Sequence, residues 1–591
     1  MTDVNQIADE ALPAGAPADL PRERQRGPGR WWADCTLPAM RREVHFGDRI
    51  VRSFVDRASS FHALLAATVA RYPDGEALIC GAQRLNWREF DDQVGRVAGA
   101  LRARGIAAGE RVALFVSNRP AFMITLFAVQ RLGAIAVPIG TREQREGLQW
   151  ILGHCGARAV FFDAELADRV PEAAELPELR LRVACRLDVA TNGPGGAGGP
   201  GDGPGVDPSA AGGGLPAGHE DFAALLAGEP VREAVAVGEE DTAVILYTSG
   251  TTGRPKGAML THFGIVHSAM HFVHCMALDE RDRSLLAVPA SHVTGLIAHV
   301  ASLVACGGTL LVMPTFKAAD FLRLAAGERM THTVMVPAMY NLALLQPDFD
   351  RHDLSAWRIG AFGGAPMPVA TIDALARRLP GLTLMNAYGA TETTSPVTQM
   401  PAGLNREHLD SIGVTMPCAE VVVVDDDGRE LPPGEVGELW IGGPMVVRGY
   451  WNDPQASARE FTAGWWHSGD LGSVDADGFV RLFDRKKDML NRGGYKIFSV
   501  EVENLIVAMP GVVEAAVIGK PCPVLGERVH AFVHVGDAAV DDAAVRAWCA
   551  ERLADYKVPE TVTISGEPLP RNANGKLLKR VLRERLDEAA A

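Results

Sequence analysis

No Cys-x-x-Cys pair occurs in the 591 residues, and the nine cysteines are scattered. That leaves no zinc-type ligand spacing, and it makes reduced thiols in a cytoplasmic setting the simplest expectation. Positive charge is in short supply: 58 Lys and Arg against 73 Asp and Glu give a net charge of −15. A nucleic-acid binder driven by phosphate contacts is therefore not expected, although a local basic patch for a nucleotide is compatible with this balance. The N-terminus lacks a basic segment followed by an apolar one, so no signal peptide is expected. The longest apolar stretch, 293–313, is broken by His299 and by Gly307-Gly308, and reads as two buried elements rather than a membrane span. No Gly-x-Gly-x-x-Gly follows a strand-like run, and no Gly-Lys-Ser/Thr closes a Walker A loop. Dinucleotide folds and P-loop NTPases are not supported.

What is present is an ordinary globular composition, 47% hydrophobic and 22% charged, long enough for two or more domains. Residues 1–45, rich in Ala, Pro and Arg, read as a disordered extension that Trp31 and Trp32 pack down. Residues 46–484 read as one large domain. From Phe61 onward helix-like and strand-like runs alternate: helices over 87–104, 120–132 and 143–154, strands over 111–116, 135–139 and 158–162. This alternation predicts parallel βαβ units. Strand-like runs recur at 284–288, 309–313, 333–336 and 357–362. A β-rich portion spans 420–483, with turn signals at Asp427-Gly428, Pro433-Gly434 and Asp477-Gly478. Residues 191–217 are a Gly/Pro insertion read as a flexible loop. The cluster 484–488 reads as a charged, exposed connector, after which 485–591 form a small domain. The predicted class is α/β: a large N-terminal domain of parallel βαβ sheets with a β-rich subdomain, and a small mobile α+β C-terminal domain.

One loop organises the rest: Tyr247-Thr-Ser-Gly-Thr-Thr-Gly-Arg-Pro-Lys-Gly257. An apolar β-type run, 243–247, enters it, and a segment of helical character, 261–276, follows. Glycines let backbone amides approach a ligand closely. Thr248, Ser249, Thr251 and Thr252 crowd hydroxyls onto the turn, Gly250 and Gly253 supply freedom, and Lys256 adds a cation. Amides, hydroxyls and a lysine together suit a triphosphate.

The loop resembles the phosphate-binding signature of the AMP-forming adenylating enzymes, which include acyl-CoA synthetases, peptide-synthetase adenylation domains and luciferases. Further stretches match that superfamily in order over roughly residues 55–585. Pro289-Ala-Ser-His292-Val-Thr-Gly295 resembles the motif bordering the carboxylate, which with Gly389 implies an acyl site of His292, Thr294, Gly295 and Gly389. Gly363-Gly-Ala-Pro366 resembles the turn against adenine, assigning Gly364, Ala365 and Pro366 to nucleotide. In Asn386-Ala-Tyr388-Gly-Ala-Thr391-Glu392, the resemblance implies that Tyr388 stacks on adenine, Thr391 contacts phosphate and Glu392 holds Mg²⁺. Gly437-Glu-Leu-Trp440 and Gly449-Tyr-Trp451 match the next motif. Trp466-His-Ser-Gly-Asp470 implies that Asp470 accepts from the ribose hydroxyls. Asp484-Arg485-Lys-Lys487 resembles the interdomain hinge, with Arg485 near nucleotide and Lys487 as pivot. Arg492-Gly-Gly494-Tyr-Lys496 resembles the thiol-tunnel loop, involving Gly493, Gly494 and Lys496. Arg571-Asn-Ala-Asn-Gly-Lys576 carries the late catalytic lysine, Lys576.

The resemblance implies an AMP-forming acyl-CoA synthetase that uses ATP, Mg²⁺ and CoA on a fatty or other apolar acid. Lys576, Lys256, Glu392 and Thr248 would be its catalytic residues. Three other readings stand beside it: a stand-alone adenylation enzyme loading a carrier protein, a luciferase-like oxygenase, and a non-catalytic nucleotide-binding regulator. No acid stands among 292–296, which favours a neutral substrate over an amino acid. His267, His271 and His274 share one helical face and read as a polar face or pocket wall rather than a zinc site.

Overall fold

The computed structural model describes residues 31–32, 37–186, 218–248, 254–536, 540–571 and 577–590. The expected alternation builds two large sheets. In the first, Ile135–Pro138, Arg111–Phe115, Ala157–Asp163 and Leu181–Cys185 run parallel, with Thr242–Thr248 beside Ile135–Pro138 and Lys256–Thr261 antiparallel at the margin. In the second, strands from Thr383–Ala390 through Ile359–Phe362, His332–Met335, Arg283–Leu286 and Thr309–Val312 to Glu76–Cys80 are parallel. Antiparallel pairs close both of its margins. Parallel strands buried on both faces are near-continuous runs of apolar residues, as in Val112–Phe115, every member of which is buried.

Local signals set the helices between them. Trp87–Ala103 starts at a capping box, in which Asn86 accepts from the Glu89 amide and Glu89 accepts from the Asn86 amide. Pro120–Arg131 starts with proline at its first turn and is buried at all twelve positions. Its Arg131 is neutralised by the Asp91 carboxylate and also donates to the Val231 carbonyl and His62 Nε2. The Asn118 side chain ties the sheets together. Its Nδ2 donates to the carbonyls of Val288, at 2.9 Å, and Met313, at 3.2 Å, and its Oδ1 accepts from the Ala290 amide.

The β-rich portion is a five-stranded antiparallel sheet over 420–485. The C-terminal domain has another five-stranded sheet, with the helices Ser499–Val507, Asp542–Ala550 and Lys579–Ala590. Among the described residues no helix is long and apolar enough to cross a membrane. The stretch 293–313 is a π-helix, Thr294–Ala301, running into Ser302–Cys306, followed by the strand Thr309–Val312.

The structure corrects several expectations. Within residues 1–45, Trp32 is 2% exposed and Met40–His45 is a strand, paired with Arg49–Phe54, so this part of the expected disordered extension is ordered. Trp31 and Trp32 donate through Nε1 to the carbonyls of Asp477 and Thr415, fastening the segment down as expected. Residues 1–30 and the insertion 191–217 lie outside the described residues. The connector 484–488 is not wholly exposed: Asp484 is buried and accepts from the amides of Arg485 and Ser499. The C-terminal sheet takes its first strand from Leu490–Arg492, close behind the connector.

The histidine face is not a pocket wall. His267 Nε2 accepts from the Phe54 amide at 3.1 Å and His271 Nε2 from the Cys418 amide at 3.3 Å, while the Phe54 ring packs on all three histidines. The three therefore seat the N-terminal hairpin.

Candidate active site

The Tyr247–Gly257 loop is the connection of a β-hairpin. Thr242–Thr248 pairs antiparallel with Lys256–Thr261, and Thr248 stands opposite Lys256 at the base of the turn. The second strand carried no separate signal in the sequence, because five of its six residues precede the helical run that was legible. Ser249, Gly250, Thr251, Thr252 and Gly253 lie outside the described residues. Thr248 and Lys256, at the loop's base, are described.

The Lys256 ammonium is paired with Glu460, at 2.6 and 2.7 Å to its two carboxylate oxygens, and lies 4.3 Å from the Tyr450 ring centroid. The Tyr450 hydroxyl reaches two carboxylates, Glu460 at 2.6 Å and Glu392 at 3.0 Å. Backbone contacts hold this group in register: the Trp451 amide donates to Gly257 and the Met259 amide to Gly449. Tyr450 lies in the Gly449–Trp451 motif, and Glu460 stands outside every motif. Partners 204 positions apart leave no local trace in a sequence.

Glu392 sits in a 3-10 turn, Thr391–Thr393, followed by Thr394 and Ser395 at φ 47° and 90°. Two successive non-glycine residues there are strained. The turn is held by Thr394 Oγ1, which donates to the Met445 carbonyl at 2.7 Å. Glu392 is 9% exposed, and burial pushes its carboxyl above the ordinary range. A buried oxygen donor of this kind suits Mg²⁺, which takes one or two carboxylates alongside phosphate oxygens.

On the adjoining strand the Tyr388 hydroxyl donates to Asp470 at 2.5 Å, and Arg485 Nε pairs with the other Asp470 oxygen at 2.6 Å. Asp470 and Arg485 are cross-strand partners in the β-rich sheet. Burial, then the Asp470 charge, push the Tyr388 phenol well above its usual range. Gly363 and Gly364 face the same region, and Gly364, Ala365 and Pro366 are exposed.

A cavity of about 570 Å³ opens beside Tyr388 and the Gly363–Gly364 turn. Tyr388, Gly389, Gly363, Gly364 and His292 line it, and Phe272, Thr294, Ala298, Val336 and Met339 extend it. Two glycines are small for a reason other than an open pocket. Gly295 does not line the cavity: a Cβ there would stand 2.3 Å from the Pro289 carbonyl oxygen. A Cβ on Gly389 would stand 1.4 Å from the Ser395 carbonyl oxygen, where the strand pair bulges. Asn118 and Arg142, which carried no signal as site residues, also line the cavity.

In the C-terminal domain, Gly493 and Gly494, at φ 59° and 91°, turn between Leu490–Arg492 and Tyr495–Ile497. The Gly493 amide donates to the Leu525 carbonyl, and Lys496 and Lys487 are exposed. Lys576 lies outside the described residues, and a β-bridge between Arg571 and Leu577 brackets its segment.

Comparison with known proteins fits this geometry. The family described as "AMP-binding enzyme" matches residues 65–451, and "AMP-binding enzyme C-terminal domain" matches 501–576. A feruloyl-CoA synthase of Amycolatopsis sp. is 35% identical over 515 residues, covering 87% of this chain and 96% of that protein. The long-chain-fatty-acid–CoA ligase FadD13 of Mycobacterium tuberculosis is 34% identical over 501 residues, covering 85% and 93%. The solved O-succinylbenzoate coenzyme A synthetase from Bacillus subtilis, in complex with ATP and magnesium ion, superposes with a TM-score of 0.74 at 27% identity, covering 88% of this chain and 99% of that one.

Proposed function

The chain belongs to the AMP-binding enzyme family as an AMP-forming carboxylate–CoA ligase, and we propose that the acid it activates is neutral and apolar, an aryl acid first and a fatty acid second. The observation that carries this is the cavity wall. Among the described residues it contains no Asp or Glu, and Phe272, Val334, Val336 and Met339 give it an apolar face. A substrate ammonium would find no counter-charge there and would be costly to bury. An aromatic ring against Phe272 and a thioether gains specific contacts beyond area alone, and the 35% identical relative is a feruloyl-CoA synthase.

In step one the acid's carboxylate attacks the α-phosphate of ATP and pyrophosphate leaves; in step two the CoA thiol displaces AMP. Both reactants in step one are anionic, so positioning and charge stabilisation dominate. Tyr388 offers a flat face to adenine, and Asp470, fixed by Tyr388 and Arg485, accepts from ribose. Thr248 and Lys256 hold the β,γ-phosphates as they depart, and Thr391 contacts the α-phosphate. Glu392 holds Mg²⁺, which offsets phosphate charge when bound. His292 borders the carboxylate. A pivot at Lys487 separates residues 46–484 from 485–591 and presents Lys576 to the first step and the Gly493–Gly494 turn, with Lys496, to the second.

Pyrophosphate release screened over aryl, fatty and amino acids, with and without CoA, tests the substrate. Aryl acids should lead, and amino acids should be inert. Turnover that needs a phosphopantetheinyl carrier rather than CoA would replace the acceptor. An absence of AMP with every acid would leave a nucleotide-binding regulator.

Gly494→Leu should lower thioester formation from supplied acyl-adenylate and CoA at least about tenfold and spare adenylate formation. No atom lies within 4 Å of a Cβ placed there, so the side chain projects into open space rather than into the domain. Positive φ adds strain common to every non-glycine residue, so Gly494→Ala is the control. Full CoA-dependent turnover in the leucine variant would remove the tunnel assignment.

A further inference from the structure

The Lys256 ammonium is already spoken for. Glu460 engages it with both oxygens, at 2.6 and 2.7 Å, and the pair is only partly open to water, with side-chain exposures of 11% and 23%. Two of the three ammonium donors are thereby used, and the Tyr450 ring covers the cation from one side. A polyphosphate that takes Lys256 has to displace this carboxylate.

We propose that Glu460 is a positioning residue that holds Lys256 between turnovers, yields it to the polyphosphate of ATP and takes it back as pyrophosphate leaves. The proposal rests on the reading of Lys256 as the β,γ-phosphate clamp. The physical basis is competition for one cation. In a partly shielded site a lone lysine opposite a multiply charged product makes a strong, charge-assisted contact. That contact retains the product after chemistry. A carboxylate built against the same ammonium subtracts from affinity for ATP and for pyrophosphate alike, because both present the same phosphates to Lys256. It leaves AMP unaffected, since AMP carries neither phosphate. Tyr450 keeps Glu460 in reach throughout: its hydroxyl donates to Glu460 at 2.6 Å, and its backbone is held by the amide, which donates to Ser457 Oγ at 2.8 Å. Glu460 itself closes the helix Pro454–Glu460, whose first turn Asp453 caps through the Ala456 amide.

The test uses Glu460→Gln in the full chain. Glutamine keeps an oxygen for the Tyr450 hydroxyl and removes the charge. Pyrophosphate inhibition should tighten about tenfold and KM for MgATP should fall, with AMP inhibition unchanged. Glu460→Asp should restore ordinary pyrophosphate inhibition. A purely structural role would move AMP and pyrophosphate together. Unchanged or weakened pyrophosphate inhibition in Glu460→Gln would overturn the proposal. Lys256→Met separates the two readings. If it leaves pyrophosphate affinity intact, the clamp itself is wrong. If it weakens pyrophosphate and Glu460→Gln then has no further effect in that background, the competition runs through Lys256 as stated.

Discussion

Replacing Lys576 with alanine is expected to slow acyl-adenylate formation at least about 100-fold, equivalent to about 3 kcal/mol of lost transition-state stabilisation. Thioester formation from supplied acyl-adenylate and CoA should stay within about twofold of the unaltered enzyme. The asymmetry follows from charge. Step one drives a carboxylate onto a phosphate, and a cation at the α-phosphate is worth most where negative charge accumulates. Step two attacks the carbonyl of a mixed anhydride with a thiol, and that lysine has no such task there. The substitution should not unfold its domain. Arg571 and Leu577 bridge across the base of the segment, and Leu569 and Leu582 on either side are buried with Ala516, Ile518 and Phe532. Separate assays of ATP-dependent adenylate formation and adenylate-dependent thioester formation decide it. Equal loss in both would remove the role given to Lys576.

The parts of the fold that were legible are those whose cause is local. Asn86 and Glu89 begin a helix at Trp87 because the cap is written in adjacent residues, and the expected 87–104 differs from the observed Trp87–Ala103 by one position. Apolar runs such as 111–116 mark strands buried on both faces, observed as Arg111–Phe115. The ordered motifs likewise placed Tyr388, Asp470, Glu392 and Gly364 in one region, and the geometry brings Tyr388, Asp470 and Arg485 into direct contact. What escaped notice depends on distant partners. The hairpin Met40–Phe54 is fixed by His267, 213 positions after Phe54. Glu460 acquires meaning only against Lys256. Gly295 and Gly389, which the resemblance assigns to the acyl site, are glycines because backbone carbonyls of Pro289 and Ser395 occupy the space a side chain would need. Glycine is equally required by a pocket and by a close backbone crossing, and sequence does not separate the two.

Stability should collapse on mild acidification. Several histidines are buried neutral, and burial is the leading cause in each. His62, His262 and His299 are pushed down to about 4, His267 to about 3, and His271 and His332 well below the ordinary value. His262, His267 and His271 use a bare ring nitrogen to accept a backbone amide, from Phe61, Phe54 and Cys418 respectively. Protonation removes that acceptor and buries a charge. With folded pKa values below the unfolded value near 6.5, the unfolded chain binds more protons at every pH beneath it. Their stabilising contribution is therefore complete above about 6.5 and lost as pH falls toward 4. Each costs about 1.4 kcal/mol per pH unit over that window. Asp163, raised to about 6 by burial, works in the opposite direction, as do the Glu392 and Glu503 carboxyls that burial also raises, and together they offset part of this loss. The remainder amounts to several kcal/mol per pH unit, against a total of roughly 5–15 kcal/mol for a typical fold. Urea midpoints followed by tryptophan fluorescence should thus fall steeply between pH 6.5 and 5 and stay nearly flat from 7 to 8. His267→Gln, which can still accept from the Phe54 amide, should reduce the steepness by about one proton. A midpoint insensitive to pH across that window would mean that these imidazoles titrate freely in the folded chain, and the hairpin they seat would then have to be held by other contacts.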